Sequence, residues 1–126
     1  MNSSTKLLCS IAAMMLWEED KYSLDDPLET YIPDFDEMKV LKVDAQDIND
    51  TEPAHDSIRI KHILSHTAGL SYGFIEPESI IDIAYNEQAI NPMTPGSDMT
   101  LESMCTALGQ LPSLPSRHLL ALKLCD

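Results

Sequence analysis

The run Ser3-Ser4-Thr5-Lys6-Leu7-Leu8-Cys9-Ser10-Ile11-Ala12-Ala13-Met14-Met15-Leu16-Trp17 constrains the fold most, because it contains neither glycine nor proline. Its apolar residues recur at helical spacing from about Leu7 to Trp17, so the stretch is expected to be a helix. Ser3 and Lys6, three apart at its start, then lie one above the other on the first turn. That geometry brings an amine to a hydroxyl, and a hydroxyl is a poor nucleophile until a base is close. Ser4 is not three before a lysine and reads as a spacer. Asp20 is the expected left-handed stop, since Asp tolerates positive φ better than most residues.

The 126 residues suffice for one small domain or part of one, and nothing repeats at a solenoid-like period. A hydrophobic share of 44% excludes a disordered tail, while a net charge of -13 repels phosphate backbones and anionic lipid surfaces. Nucleic acid is therefore not an expected partner. Cys9, Cys105 and Cys125 are an odd set without metal-ligand spacing, so no disulfide framework follows and a reduced compartment is favoured. The segment after Lys6 has the basic start and apolar stretch of a secretory signal. It runs into Trp17-Glu18-Glu19-Asp20 without a small-residue cleavage site, so a cytoplasmic location is expected for the chain as it stands, and a periplasmic one remains open for an intact parent. No other apolar run is long enough to span a bilayer.

Further along, Asp26 reads as a helix cap with Pro27 at the first helical position, carrying Leu28 to Ile32 until Pro33 stops it. Met38 to Val43 has the pattern of a strand. Ile58-Arg59-Ile60 is its expected partner across an acidic loop from Asp44 to Asp56. Asp44, Asp47, Asn49 and Asp50 lack the alternating spacing and glycine of a calcium loop, and a solvated loop is expected there. Ile60 to His66 reads as a short helix stopped by Gly69. His62 and His66, four apart, have no third ligand at zinc-site spacing and read as capping or packing residues, so no metal and no cofactor are expected. Tyr72-Gly73-Phe74 reads as a turn. Glu76-Pro77-Glu78 is expected to open a helix with Ile80, Ile81, Ile83, Ala84 and Ala89 as its buried stripe. Asn91 to Gly96 reads as a loop. Thr100 is expected to cap a last helix, with Glu at its third position and an apolar face of Leu101, Met104, Cys105, Leu108 and Leu111 ahead of Pro112.

Two blocks carry a family resemblance. Ser3-Ser4-Thr5-Lys6 with Ala12 to Glu19, Leu24-Asp25-Asp26-Pro27 and Tyr31-Ile32-Pro33 form the first. Ile58-Arg59-Ile60-Lys61-His62-Ile63-Leu64-Ser65-His66-Thr67-Ala68-Gly69-Leu70-Ser71-Tyr72-Gly73, close to the form I-T-I-R-H-L-L-T-H-T-S-G-L, is the second. Together, in this order and spacing, they resemble the serine beta-lactamase and penicillin-binding-protein superfamily, nearest its class C beta-lactamase-related esterases. SxxK by itself is common; the second block is what makes the signal specific.

The resemblance covers about residues 2–112 and implies a fragment: the family's domain is longer on both sides. It implies a partial α/β beta-lactamase/transpeptidase-like fold, mainly its helical part, hence a mostly α chain with a small β excursion. By position Ser3 takes the role of the acyl-accepting nucleophile and Lys6 that of the residue that removes its proton, with small-molecule esters or beta-lactams as substrates. The Y-x-N or Y-x-S tyrosine and the late H-x-G or K-T-G strand have no counterpart here, and Tyr72 is not promoted to that role, so the chain is expected to lack activity as written. Residues 1–112 are read as a partial beta-lactamase-related domain and 113–126 as a divergent tail. One nucleotide out of frame, codons for that tail can give L-F-P-A-G-T-C-W, close to what the family carries, so a frameshift is hypothesised. The alternative reading is a non-catalytic acidic helical module that self-associates through exposed apolar faces.

Overall fold

Leu, Ala and Met are strong helix formers, and the run they dominate becomes helix α1, Ser4–Glu18. Asp20 takes φ 56° as expected, and the Lys21 N–H reaches back to the Leu16 carbonyl at 3.0 Å, the six-to-one bond that closes a helix end. The computed structural model of the chain describes residues 3–71, 73, 76–90 and 98–114. Among them the chain is mostly helical with one small antiparallel sheet. After α1 come β1 (Lys39–Leu41), β2 (Thr51–Pro53), α2 (Ile60–Leu64), α3 (Ile80–Glu87) and α4 (Leu101–Gly109).

Between α1 and β1 the chain departs from the helix expected over 28–32. Pro27 is extended at φ -62°, ψ 139°, and only a 3-10 turn, Leu28–Thr30, follows it. Asp26 does not cap that turn, because its carboxylate accepts the Ser23 N–H at 2.9 Å and the Tyr31 hydroxyl at 2.6 Å. Pro33 opens a second 3-10 turn, Pro33–Phe35, because its fixed φ suits a first helical position.

The expected partner strand over 58–60 is likewise displaced. β1 pairs with Thr51–Pro53 in the register Lys39↔Pro53, Val40↔Glu52, Leu41↔Thr51. β2 carries no apolar alternation because it is an edge strand, with Thr51 half-buried and Glu52 and Pro53 exposed. The loop before it folds on its own carboxylates: Asp47 accepts the Asn49 N–H at 2.9 Å and Asp50 that of Gln46 at 3.1 Å. Ile58 instead ties the two family-like blocks together, its carbonyl accepting the Leu28 N–H at 2.7 Å while Asp26 accepts that of Ile60 at 3.1 Å. Ser113 lies beside β1 in parallel, with Ser113 N–H to Lys39 and Leu41 N–H to Ser113, both at 2.9 Å.

The core comprises Leu28, Phe35, Met38, Ile58, Ala68, Ile81, Tyr85, Ile90 and Leu108. α3 begins later than expected, because Ser79 is its cap and accepts the Asp82 N–H. The helix turns Asp82 and Tyr85 inward beside Ile81 and Ala84 and leaves Ile83 exposed, while Ala89 falls past its end at φ 55° and is exposed as well. α4 is capped by Thr100 as expected, but its reciprocal partner at the third helical position is Ser103, not a glutamate. Leu108 is its buried residue and Leu101, expected on the apolar face, stands 79% exposed. α4 packs on the turn at Pro33–Phe35 so closely that a Cβ on Gly109 would lie 2.1 Å from the Asp34 carbonyl oxygen.

Candidate active site

Ser3 occupies the N-cap of α1 and Lys6 its third helical position, joined by the Lys6 N–H to the Ser3 carbonyl at 3.1 Å. The Ser3 side chain makes no cap hydrogen bond, and no acidic residue stands in the first turn. Backbone N–H groups at such an end point outward and carry partial positive charge, which favours an anion forming on or near the hydroxyl. Both residues are exposed. The serine–lysine pair sought in the sequence is thus on one helical turn. Tyr72, the residue set aside as a candidate, lies outside the described residues, as do the loop 91–97 and the tail from 115 onward.

The second block builds a polar frame. Arg59 donates to both Asp56 carboxylate oxygens, at 3.0 and 3.2 Å, and to the Asp25 carbonyl at 2.7 Å. Lys61 pairs with the Asp25 carboxylate at 2.6 Å. The hydrogen bond and charge of Lys61 hold the Asp25 carboxyl below its ordinary range, and the Tyr31 hydroxyl does the same for Asp26. His62 accepts the Arg59 N–H on Nδ1 at 2.9 Å, which makes it a capping residue of α2. His66 takes φ 57°, the left-handed position that ends this helix three residues earlier than Gly69. Among the described residues no group of three or more His, Cys, Asp or Glu is arranged to hold a metal ion. None of the described helices is long and apolar enough to cross a membrane.

A third centre escaped sequence reasoning. Asp82, 1% exposed, accepts the Ser71 hydroxyl on one oxygen and the Glu76 N–H at 2.8 Å on the other. Beside it the Tyr85 hydroxyl accepts the Ser71 N–H at 3.2 Å, and Asn86 donates to the Gly73 carbonyl at 2.8 Å. Burial pushes the Tyr85 phenol up to about 12. Both Asp82 oxygens are occupied by groups of the segment between α2 and α3, so this carboxylate fastens that segment to α3. An acidic residue between isoleucines in Ile81-Asp82-Ile83 was the available signal, and it reads equally well as a solvent-facing position.

A mostly helical body carrying a minimal antiparallel sheet fits the helical part of a beta-lactamase-like fold. The beta-lactamase family model matches residues 1–117, and the chain belongs to that family. It is 36% identical over 104 residues to Protein Rv1367c of Mycobacterium tuberculosis (strain ATCC 25618 / H37Rv), a match covering 82% of this chain and 25% of that protein. It is 40% identical over 76 residues to the acyltransferase mokF of Monascus pilosus, covering 60% and 18% respectively. To the lovastatin esterase of Penicillium rubens (strain ATCC 28089 / DSM 1075 / NRRL 1951 / Wisconsin 54-1255) it is 36% identical over 77 residues, covering 60% and 19%. The chain therefore spans a quarter or less of the length of these relatives.

Proposed function

We propose that this chain carries the nucleophile-bearing part of a serine hydrolase or acyltransferase, with Ser3 as nucleophile and Lys6 as its base. The observation that carries the reading is the N-cap placement of Ser3 with its hydroxyl uncommitted to capping and Lys6 on the same turn. In the reaction so assigned, the Ser3 hydroxyl attacks an ester carbonyl as its proton passes to the Lys6 amine. The alcohol leaves with a proton, and the resulting acyl-serine passes its acyl group to water or to another alcohol. Relatives named as an acyltransferase and an esterase favour esters over beta-lactams as the substrate class.

The sequence carries no Y-x-N or Y-x-S tyrosine and no H-x-G or K-T-G strand, so turnover is expected to be slow or to require residues outside this chain. Acylation tests the proposal more directly than turnover. A fluorophosphonate probe is expected to label folded protein, and Ser3→Ala to abolish labelling; label retained on Ser3→Ala, or none on the wild type, overturns it.

A further inference from the structure

Gly69 closes no helix, because His66, three residues before it, is the left-handed stop of α2. Gly69 nevertheless stands at φ 82° and is buried. What crowds it comes from far along the chain. A Cβ on Gly69 would lie 2.9 Å from the Leu114 carbonyl oxygen, 3.2 Å from the Leu114 nitrogen and 3.3 Å from the Ser113 Cβ. The Gly69 carbonyl in turn accepts the Leu114 N–H at 2.9 Å. Residues 113 and 114 thus occupy the space that a side chain at position 69 would take.

The same two residues reach the sheet on their other side. Ser113, 3% exposed, gives its N–H to the Lys39 carbonyl and accepts the Leu41 N–H on its own, both at 2.9 Å. These bonds centre on Val40 and run parallel, so β1 is a middle strand, with β2 on one edge and Ser113 on the other. Leu41 is buried at 7% exposure. Without Ser113 its N–H would be a buried donor lacking this acceptor, a loss that native folds avoid. Leu114 is half-buried against the core.

We infer that Ser113–Leu114 is a strap that fastens the turn at Gly69 to β1, with Gly69 as its seat. The second family-like block then requires glycine at this position twice over, for its positive φ and for the close approach of the strap. It follows that the folded unit runs through Leu114 instead of stopping at Pro112, and that any change of reading frame falls after Leu114. The family match, which extends to residue 117, agrees with that placement. The inference stands apart from the roles assigned to Ser3 and Lys6 in acyl transfer.

Hydrogen exchange of the full chain tests it. Gly69→Ala drives a methyl group into the strap, and the effect should be read on β1. The Leu41 amide, bonded to Ser113, should exchange about tenfold faster or more. Lys42, bonded to the Asp50 carbonyl at 2.9 Å, and Ile90, bonded to that of Tyr85 at 2.9 Å, should keep their wild-type rates. Leu41 exchanging at the wild-type rate in folded Gly69→Ala overturns the inference. Equal acceleration of all three amides overturns it as well, since the change would then be a general loss of stability.

A strained alanine puts folding itself at risk, so Ser113→Cys supplies a second readout. Thiol alkylation followed by peptide mapping should label the introduced thiol about tenfold or more slowly than the exposed native Cys9. Labelling at the Cys9 rate would place residue 113 in a free tail and overturn the inference.

Discussion

Tyr85 shows how one side chain can couple packing to pH. Its ring fills the core at 1% exposure while its hydroxyl accepts the Ser71 N–H, and burial raises its pKa from 10.0 to about 12. A raised pKa means that the fold holds the neutral phenol. The associated stability is fully present below pH 10 and is lost as pH rises toward about 12. Thermal melts above pH 10 should show this loss in the wild type and not in Tyr85→Phe, which at neutral pH should cost only about 1 kcal/mol for the Ser71 bond. Gly109 is the opposite kind of residue, required for having no side chain. A Cβ there would lie 2.1 Å from the Asp34 carbonyl oxygen, so Gly109→Ala must push α4 off the turn at Pro33–Phe35. Urea unfolding should find it destabilised by about 3 kcal/mol or more, whereas Gln110→Ala, one place on and exposed, should change little. Neither residue was legible in the sequence: Tyr85 fell outside the expected apolar stripe, and Gly109 sits inside a helical pattern where nothing local requires it. Ser3 and Lys6 stand three apart at the start of α1, as their spacing in the sequence leads one to expect, and the roles proposed for them rest on that placement.

At the scale of elements, what local chemistry decides was readable and what contact decides was not. α1, α2, α4 and the left-handed stop at Asp20 follow from helix formers, caps and a tolerant residue at the right place. The second strand did not, because Thr51–Pro53 is polar and is selected by backbone pairing with β1 rather than by side chains. The Asp26–Pro27 pair looked like a helix start, but Asp26 is drawn into bonds with Ser23 and Tyr31 and its backbone pairs with Ile60. This junction between the two family-like blocks is held by carboxylates whose pKa values are lowered, Asp25 by Lys61 and Asp26 by Tyr31. Lowered values mean that the contact is fully formed above the ordinary aspartate value of 3.8 and weakens as pH falls below it. Amide exchange at Ile60 and Lys61, whose N–H groups bond to Asp26 and Leu24, should accelerate relative to the core amide of Ile90 when pH is taken below that value. Unchanged relative rates would remove the carboxylates from the account of this junction.

The whole molecule is unevenly finished. The described residues from 28 to 114 share a core, while α1, which carries the candidate nucleophile, turns an apolar side to water. Membership in the beta-lactamase family was legible from the order and spacing of the two blocks, since each combines helix-start, turn and capping residues that rarely coincide. The substrate was not legible, because the matched relatives are four or more times the length of this match and their names differ in the reaction they assign. Ser3 at the N-cap of α1 with Lys6 one turn on therefore remains the point on which the proposed function stands. Peptide mapping after incubation with a p-nitrophenyl ester tests it most directly. The acyl group should be found on the N-terminal peptide at Ser3, be absent from Ser3→Ala, and form more slowly with Lys6→Met. An acyl group mapped to another residue, or a Ser3→Ala protein acylated at the wild-type rate, would contradict the account.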